Sequence, residues 1–149
     1  MLDGTSVMSR LGGVIPGRVR YQTVERKVML VGDAAGQTKA TTGGGIYFGS
    51  MCGRLAGEIA ARAKREDELA EYEKEWRARY GRDLMLHRRL RDFADNMDDG
   101  QLAAYATIAR GLGAEHFLAA HGDMDSPDAM LASFKKSNPL AHLVTRLFG

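Results

Sequence analysis

One carboxylate and three consecutive glycines carry most of the chemistry this sequence offers. Val28-Met29-Leu30-Val31 is a continuous apolar run ended by Gly32-Asp33, and Gly43-Gly44-Gly45 then opens a helical pattern at Ile46. A short apolar run bounded by turn residues reads as a strand buried on both faces, the kind found in parallel sheets. Its end places Asp33 at the carboxyl edge of such a sheet, where open α/β folds bind ligands. A carboxylate there suits a ligand hydroxyl, and the small residues Ala34, Ala35 and Gly36 leave room for a ligand chain against the backbone. Beyond them, Gly43, Gly44 and Gly45 present unobstructed amides at a helix N-terminus. The partial positive charge there favours a phosphate, a carboxylate or an electron-rich carbonyl oxygen.

Two phosphate-binding patterns fail on spacing. A P-loop needs glycine immediately before its lysine, but Lys39 stands between Thr38 and Ala40. The dinucleotide fingerprint G-x-G-x-x-G fails at its last glycine, where this chain has Phe48.

The elements that must position these residues are mostly helical. Val19 to Val24 forms a candidate neighbouring strand. Gly45 to about Ala63 has helical periodicity, with Ile46, Leu55 and Ile59 on one apolar face and a row of small residues, Gly49, Gly53, Gly57 and Ala60, that lets a neighbour approach closely. Glu66 to about Asp95 reads as one long helix or two, with Gly81 as the candidate break and Leu69, Tyr72, Trp76, Tyr80, Leu84 and Leu90 as the buried stripe. Asp98 to Leu112 is a further helix ended by Gly111 and Gly113. Ser126-Pro127 and Asn138-Pro139 each place proline at a first helical position. Twelve of the 18 glycines lie at or before Gly57, so the front of the chain is rich in turns and the remainder favours helix. The expected fold is therefore α/β at the N-terminal end followed by an all-α region, divided into residues 1–63 and 64–149.

The 149 residues carry a net charge of +2, with 44% hydrophobic and 27% charged residues, a composition of globular rather than disordered chains. Basic and acidic residues are interleaved, which argues against a nucleic-acid partner. A single cysteine, Cys52, excludes an internal disulfide, and His87, His116, His121 and His142 lack metal-ligand spacing. No metal is expected. Cys52 reads as a buried inert thiol, and Tyr72, Trp76 and Tyr80 as core packing. No apolar stretch reaches a membrane span, and the first twenty or so residues lack a secretory apolar region. A cytoplasmic location follows. The amphipathic segment Leu140 to Phe148 suits either packing on the preceding helices or peripheral contact with a bilayer surface.

Three motifs together carry a family resemblance: Gly12-Gly13-Val14-Ile15-Pro16, then Leu30-Val31-Gly32-Asp33-Ala34-Ala35-Gly36, then Thr41-Thr42-Gly43-Gly44-Gly45-Ile46. In this order and spacing they closely resemble the geranylgeranyl reductase family of FAD-dependent enzymes, flavoproteins with a glutathione-reductase-type FAD domain. The likeness continues through Leu69 to Gly81 and fades after about Ile108. It implies that Gly32, Asp33, Gly43, Gly44, Gly45 and Ile46 bind the cofactor, Asp33 at the ribityl or pyrophosphate part of FAD and the amides around Gly44, Gly45 and Ile46 at the pyrimidine edge. It implies reduction of isolated C=C bonds in isoprenoid lipid chains by an external electron donor, with no catalytic residue identifiable.

The pattern departs from the family at Ala40, where proline is usual, leaving the loop before the triplet less fixed in φ. The family's N-terminal G-x-G-x-x-G unit is not in this sequence. The resemblance therefore implies a C-terminal portion completed by a separate polypeptide carrying that unit. An FAD-dependent monooxygenase or halogenase-like relative, and a non-catalytic helical interaction module, stay open as alternatives.

Overall fold

The computed structural model describes residues 6, 8–111 and 113–137. The expected helix at Leu140 to Phe148, and His142 within it, lie outside the described residues. Two short strands, β1 (Val24–Glu25) and β2 (Val28–Met29), form an antiparallel hairpin in which Val24 faces Met29. Arg26, at its two-residue turn, has φ +50°, the left-handed conformation that such hairpins require. A 3-10 turn at Gly32–Ala35 follows, then α1 (Ile46–Arg62), a second 3-10 turn at Glu66–Leu69, α2 (Ala70–Asp95), α3 (Asp99–Gly111), α4 (Ala114–His121) and α5 (Pro127–Ser137).

Contrary to expectation, Val28–Val31 is not a strand buried on both faces. Only Val28 and Met29 pair as strand, their one partner among the described residues is β1, and Val28 is 58% exposed. Met29 and Val31 instead pack inward against the helices. A two-residue turn joins strands antiparallel, and helices cover one face, so the side chains alternate in and out as in a half-buried strand.

One core joins α1 and α2. Phe48, Cys52, Leu55, Ala56 and Ile59 of α1 pack against Tyr72, Trp76 and Leu84 of α2, with Val19, Val24, Met29, Val31, Leu69 and Tyr80 at its edges. Of the stripe expected on the long helix, Tyr72, Trp76 and Leu84 face α1 and Leu69 and Tyr80 edge that contact, while Leu90 is not part of this core. Each fully buried aromatic contributes on the order of 1.5–3 kcal/mol. The helix runs through Gly81 without a break. Ile46 is the exception on α1: it occupies the first turn and is 88% exposed, so it does not share the face of Leu55 and Ile59. Of the small-residue row, Gly49 lies against Gly32, where a methyl group on Gly49 would stand 3.6 Å from the Gly32 Cα, and Gly53 lies against Val31. Gly57 has nothing within 4 Å, and Ala60 is exposed.

Polar groups of α2 grip the segment before the hairpin. The Trp76 indole N–H donates to the Thr23 hydroxyl at 2.9 Å, the Thr23 amide donates to Glu73 at 3.1 Å, and Arg77 donates to the carbonyls of Arg20 and Tyr21. Among the described residues no helix is long and apolar enough to cross a membrane.

Candidate functional site

The structure brings the three sequence motifs to one place. Ile15 touches the glycine triplet, its Cδ1 lying 3.1 Å from where a Gly43 side chain would begin. The Pro16 carbonyl accepts from the Thr38 hydroxyl at 2.5 Å. Gly12 and Gly13, by contrast, have nothing within 4 Å, so only the Ile15-Pro16 end of that motif is engaged.

Asp33 lies in the 3-10 turn just beyond the hairpin, exposed, with its Oδ1 aimed at the triplet: a methyl group on Gly45 would stand 2.8 Å from it and 2.9 Å from Thr38 Cγ2. Asp33 is exposed and could swing aside, so the buried Thr38 methyl is what most resists a side chain at Gly45. Gly45 is the N-cap of α1 and no side chain caps the helix. The first-turn amides therefore have no side-chain cap, and the Asp33 carboxylate lies beside this helix end. Gly32 and Gly43 have φ +62° and +73°, conformations that favour glycine. Gly44 is turned inward: its carbonyl accepts from Lys39 N–H at 3.0 Å and its amide approaches Thr42 Oγ1 at 3.4 Å. Ile46 projects its side chain outward.

Sequence reasoning missed the residues that hold this arrangement. Gln37 and Tyr72 are buried beneath the Gly32-Asp33 turn. Gln37 Oε1 accepts from the Gly32 amide at 2.9 Å, its Nε2 donates to the Tyr72 hydroxyl at 3.0 Å, and that hydroxyl donates to the Leu30 carbonyl at 3.0 Å. Burial pushes the Tyr72 phenol up to about 12, so it remains a donor. The position of Gln37 directly after the Gly32–Gly36 motif was the one local signal.

His87, fully buried on α2, joins the loop to the C-terminal region. Its Nε2 faces the Met124 carbonyl at 2.9 Å and its Nδ1 the Thr41 hydroxyl at 2.8 Å. A carbonyl only accepts, which places the proton on Nε2 and makes Nδ1 the acceptor in the neutral ring. Burial, and then the nearby Lys39 charge, lower its pKa, with Asp83, Asp125 and the Met124 hydrogen bond opposing. Lys39 adds a second link, an ion pair to Asp125 at 2.5 Å.

Cys52 is buried behind the site with its thiol pushed up to about 11 by desolvation, which makes it inert at neutral pH. His116 and His121 are exposed. Among the described residues no three His, Cys, Asp or Glu side chains gather as a metal site.

An exposed acceptor beside uncapped amides fits a ligand with hydroxyls on one side and an electron-rich oxygen on the other. Similar proteins narrow the choice. The chain is 37% identical over 109 residues to a digeranylgeranylglycerophospholipid reductase of Methanocaldococcus jannaschii, a match covering 70% of this chain and 28% of that protein. Over 149 residues it is 30% identical to digeranylgeranylglycerophospholipid reductase 1 of Methanococcoides burtonii, covering 96% of this chain and 35% of the relative. The chain belongs to the geranylgeranyl reductase family. A reductase of the same name from Methanococcus aeolicus is 35% identical over 70% of the chain and is covered to 28% of its length. The chain thus spans between about a quarter and about a third of the length of these relatives. No family model and no solved structure matches it.

Proposed function

We propose that this chain is the C-terminal part of an FAD-dependent reductase that saturates isolated carbon–carbon double bonds in the isoprenoid chains of archaeal-type phospholipids. The observation that carries this reading is the approach of the Asp33 carboxylate to Gly45 at the uncapped N-terminus of α1. Asp33 would accept from ribityl hydroxyls, and the amides around Gly45 and Ile46 would face the pyrimidine edge. A bound, reduced flavin supplies a hydride to the alkene, the second hydrogen arriving as a proton.

This chain's contribution is electrostatic. Negative charge develops near N1 and O2 of a reduced flavin, and a helix N-terminus stabilises it by typically 0.3–1 kcal/mol at an exposed site. The wider fold in this reading is a glutathione-reductase-type FAD domain, of which residues 1–63 are the last strand-loop-helix portion and 64–149 a helical region. A second polypeptide or segment with the G-x-G-x-x-G unit holds the ADP half. The completed enzyme works in the cytoplasm, at the membrane surface where its lipid resides.

The experiment mixes this chain with the dinucleotide-binding half of a relative and follows flavin absorbance. A dithionite-reduced sample is then given a prenylated phospholipid, and the gain of hydrogen is read by mass spectrometry. Flavin uptake with saturation of the chain supports the reading. Uptake with oxygen insertion in air favours the monooxygenase alternative, and a colourless mixture favours a non-catalytic module.

A further inference from the structure

The glycine triplet separates two sides of the site. A side chain on Gly45 would meet Asp33, whereas one on the preceding Gly44 would meet Lys39 Cε at 3.0 Å. On this second side Lys39 and Asp125, with Gly44, Ile46, Tyr47, Ser50 and Met51, line a hollow of about 490 Å³. That size lies within the few hundred to about 1,000 Å³ common for small-ligand sites. The outward walls are apolar: Ile46 is 88% and Tyr47 36% exposed, both on the first turn of α1. Exposure of this kind at the start of a helix that buries Phe48, Cys52, Leu55, Ala56 and Ile59 is unexplained by the core.

The charge pattern limits the occupant. Lys39 is the cation on the wall, its side chain only 16% exposed, and it is already paired with Asp125 at 2.5 Å. An anionic headgroup entering the hollow would have to displace that carboxylate and leave it without its partner, which is unfavourable for a partly buried pair. An uncharged hydrocarbon meets no such cost. The hollow also adjoins the first turn of α1, whose amides would face the flavin in the reading above.

We propose that this hollow receives a stretch of the substrate's isoprenoid chain, with the Lys39–Asp125 pair as its polar boundary. The C-terminal region thereby contributes to substrate selection through Asp125, 86 residues from Lys39. This inference rests on the prenyl-reductase reading, and its test needs no flavin, so the two can fail separately.

The chain is labelled with nitrogen-15 and titrated with geranylgeraniol, and in parallel with glycerol 1-phosphate. The expected result is a saturable shift of the Gly44 to Met51 amides with geranylgeraniol and none with glycerol 1-phosphate. Ser50→Trp, which fills the hollow, should weaken the binding at least tenfold while the α3 amides keep their positions. Ser50→Leu is the smaller intrusion to use if the tryptophan variant does not fold. No shift with geranylgeraniol, a shift confined to other surfaces, equal shifts with glycerol 1-phosphate, or undiminished binding by the filled variant would each overturn the proposal. Flavin uptake by the completed enzyme alongside any of those results would leave the cofactor reading intact.

Discussion

Gly36 and Gly57 offer the same chemical change with opposite expected signs. Gly36 has φ +70°, and a Cβ there would lie 2.1 Å from the Arg18 carbonyl oxygen and 2.8 Å from its carbon. Backbone cannot swing aside as a side chain can. Substitution to alanine first incurs the left-handed penalty of about 1–2 kcal/mol. It then pushes residues 18–20 off the turn, threatening the Arg20 amide bond to Ala35 at 3.0 Å and the Arg20 Nε bond to Ala34 at 2.7 Å. Each such bond contributes about 0.5–1.5 kcal/mol. Gly36→Ala should therefore lose about 2–5 kcal/mol in all. Gly57 lies inside α1 with nothing within 4 Å of an added methyl group. Gly57→Ala should gain about 0.5–1 kcal/mol from helix propensity alone. Urea unfolding followed by circular dichroism at 222 nm (a wavelength chosen for helix) measures both. A neutral Gly36→Ala, or a Gly57→Ala that destabilises, would refute the packing argument for this turn.

Four further outcomes follow from the site. Tyr72→Phe strands the Leu30 carbonyl and Gln37 Nε2 in the interior, and should cost about 1–3 kcal/mol by the same urea titration. Asp33→Ala removes an exposed carboxylate, so stability should stay within about 0.5 kcal/mol while flavin affinity of the completed enzyme falls about tenfold or more by fluorescence titration. His87 has its folded pKa lowered, so the folded state binds fewer protons than the unfolded one. Its stabilisation is present above the unfolded value near 6.5 and declines as pH falls through the folded value, and His87→Gln should flatten that acid-side slope in melts taken from about pH 7 downward. Cys52, buried with its thiol at about 11, should react with a thiol reagent at pH 8 only after denaturant is added.

Helical periodicity and end signals are local properties, and they were legible in the sequence. The apolar stripe of Tyr72, Trp76 and Leu84 named the face of α2 that meets α1, and Ser126-Pro127 marked the start of α5. Gly81 did not break α2, because its neighbours pack or pair on both sides and one glycine costs only about 1 kcal/mol. The helix α4 carried no such signal: it is short and begins after Gly113 in a left-handed conformation without a side-chain cap.

The residues Asp33 and Gly43 to Gly45 were visible as a motif, but their convergence was decided by tertiary contacts. Ile15 reaches Gly43, Gln37 and Tyr72 hold the turn from below, and Lys39 and His87 bind the loop to Asp125 and Met124. Apart from Gln37, which is five residues from the Gly32 it holds, these partners lie too far apart along the chain for any periodicity to relate them. Val28 shows the same division. Its apolar character suited a buried strand, but whether a strand is covered on one face or two depends on what packs against it, and that is a property of the assembled chain rather than of four consecutive residues.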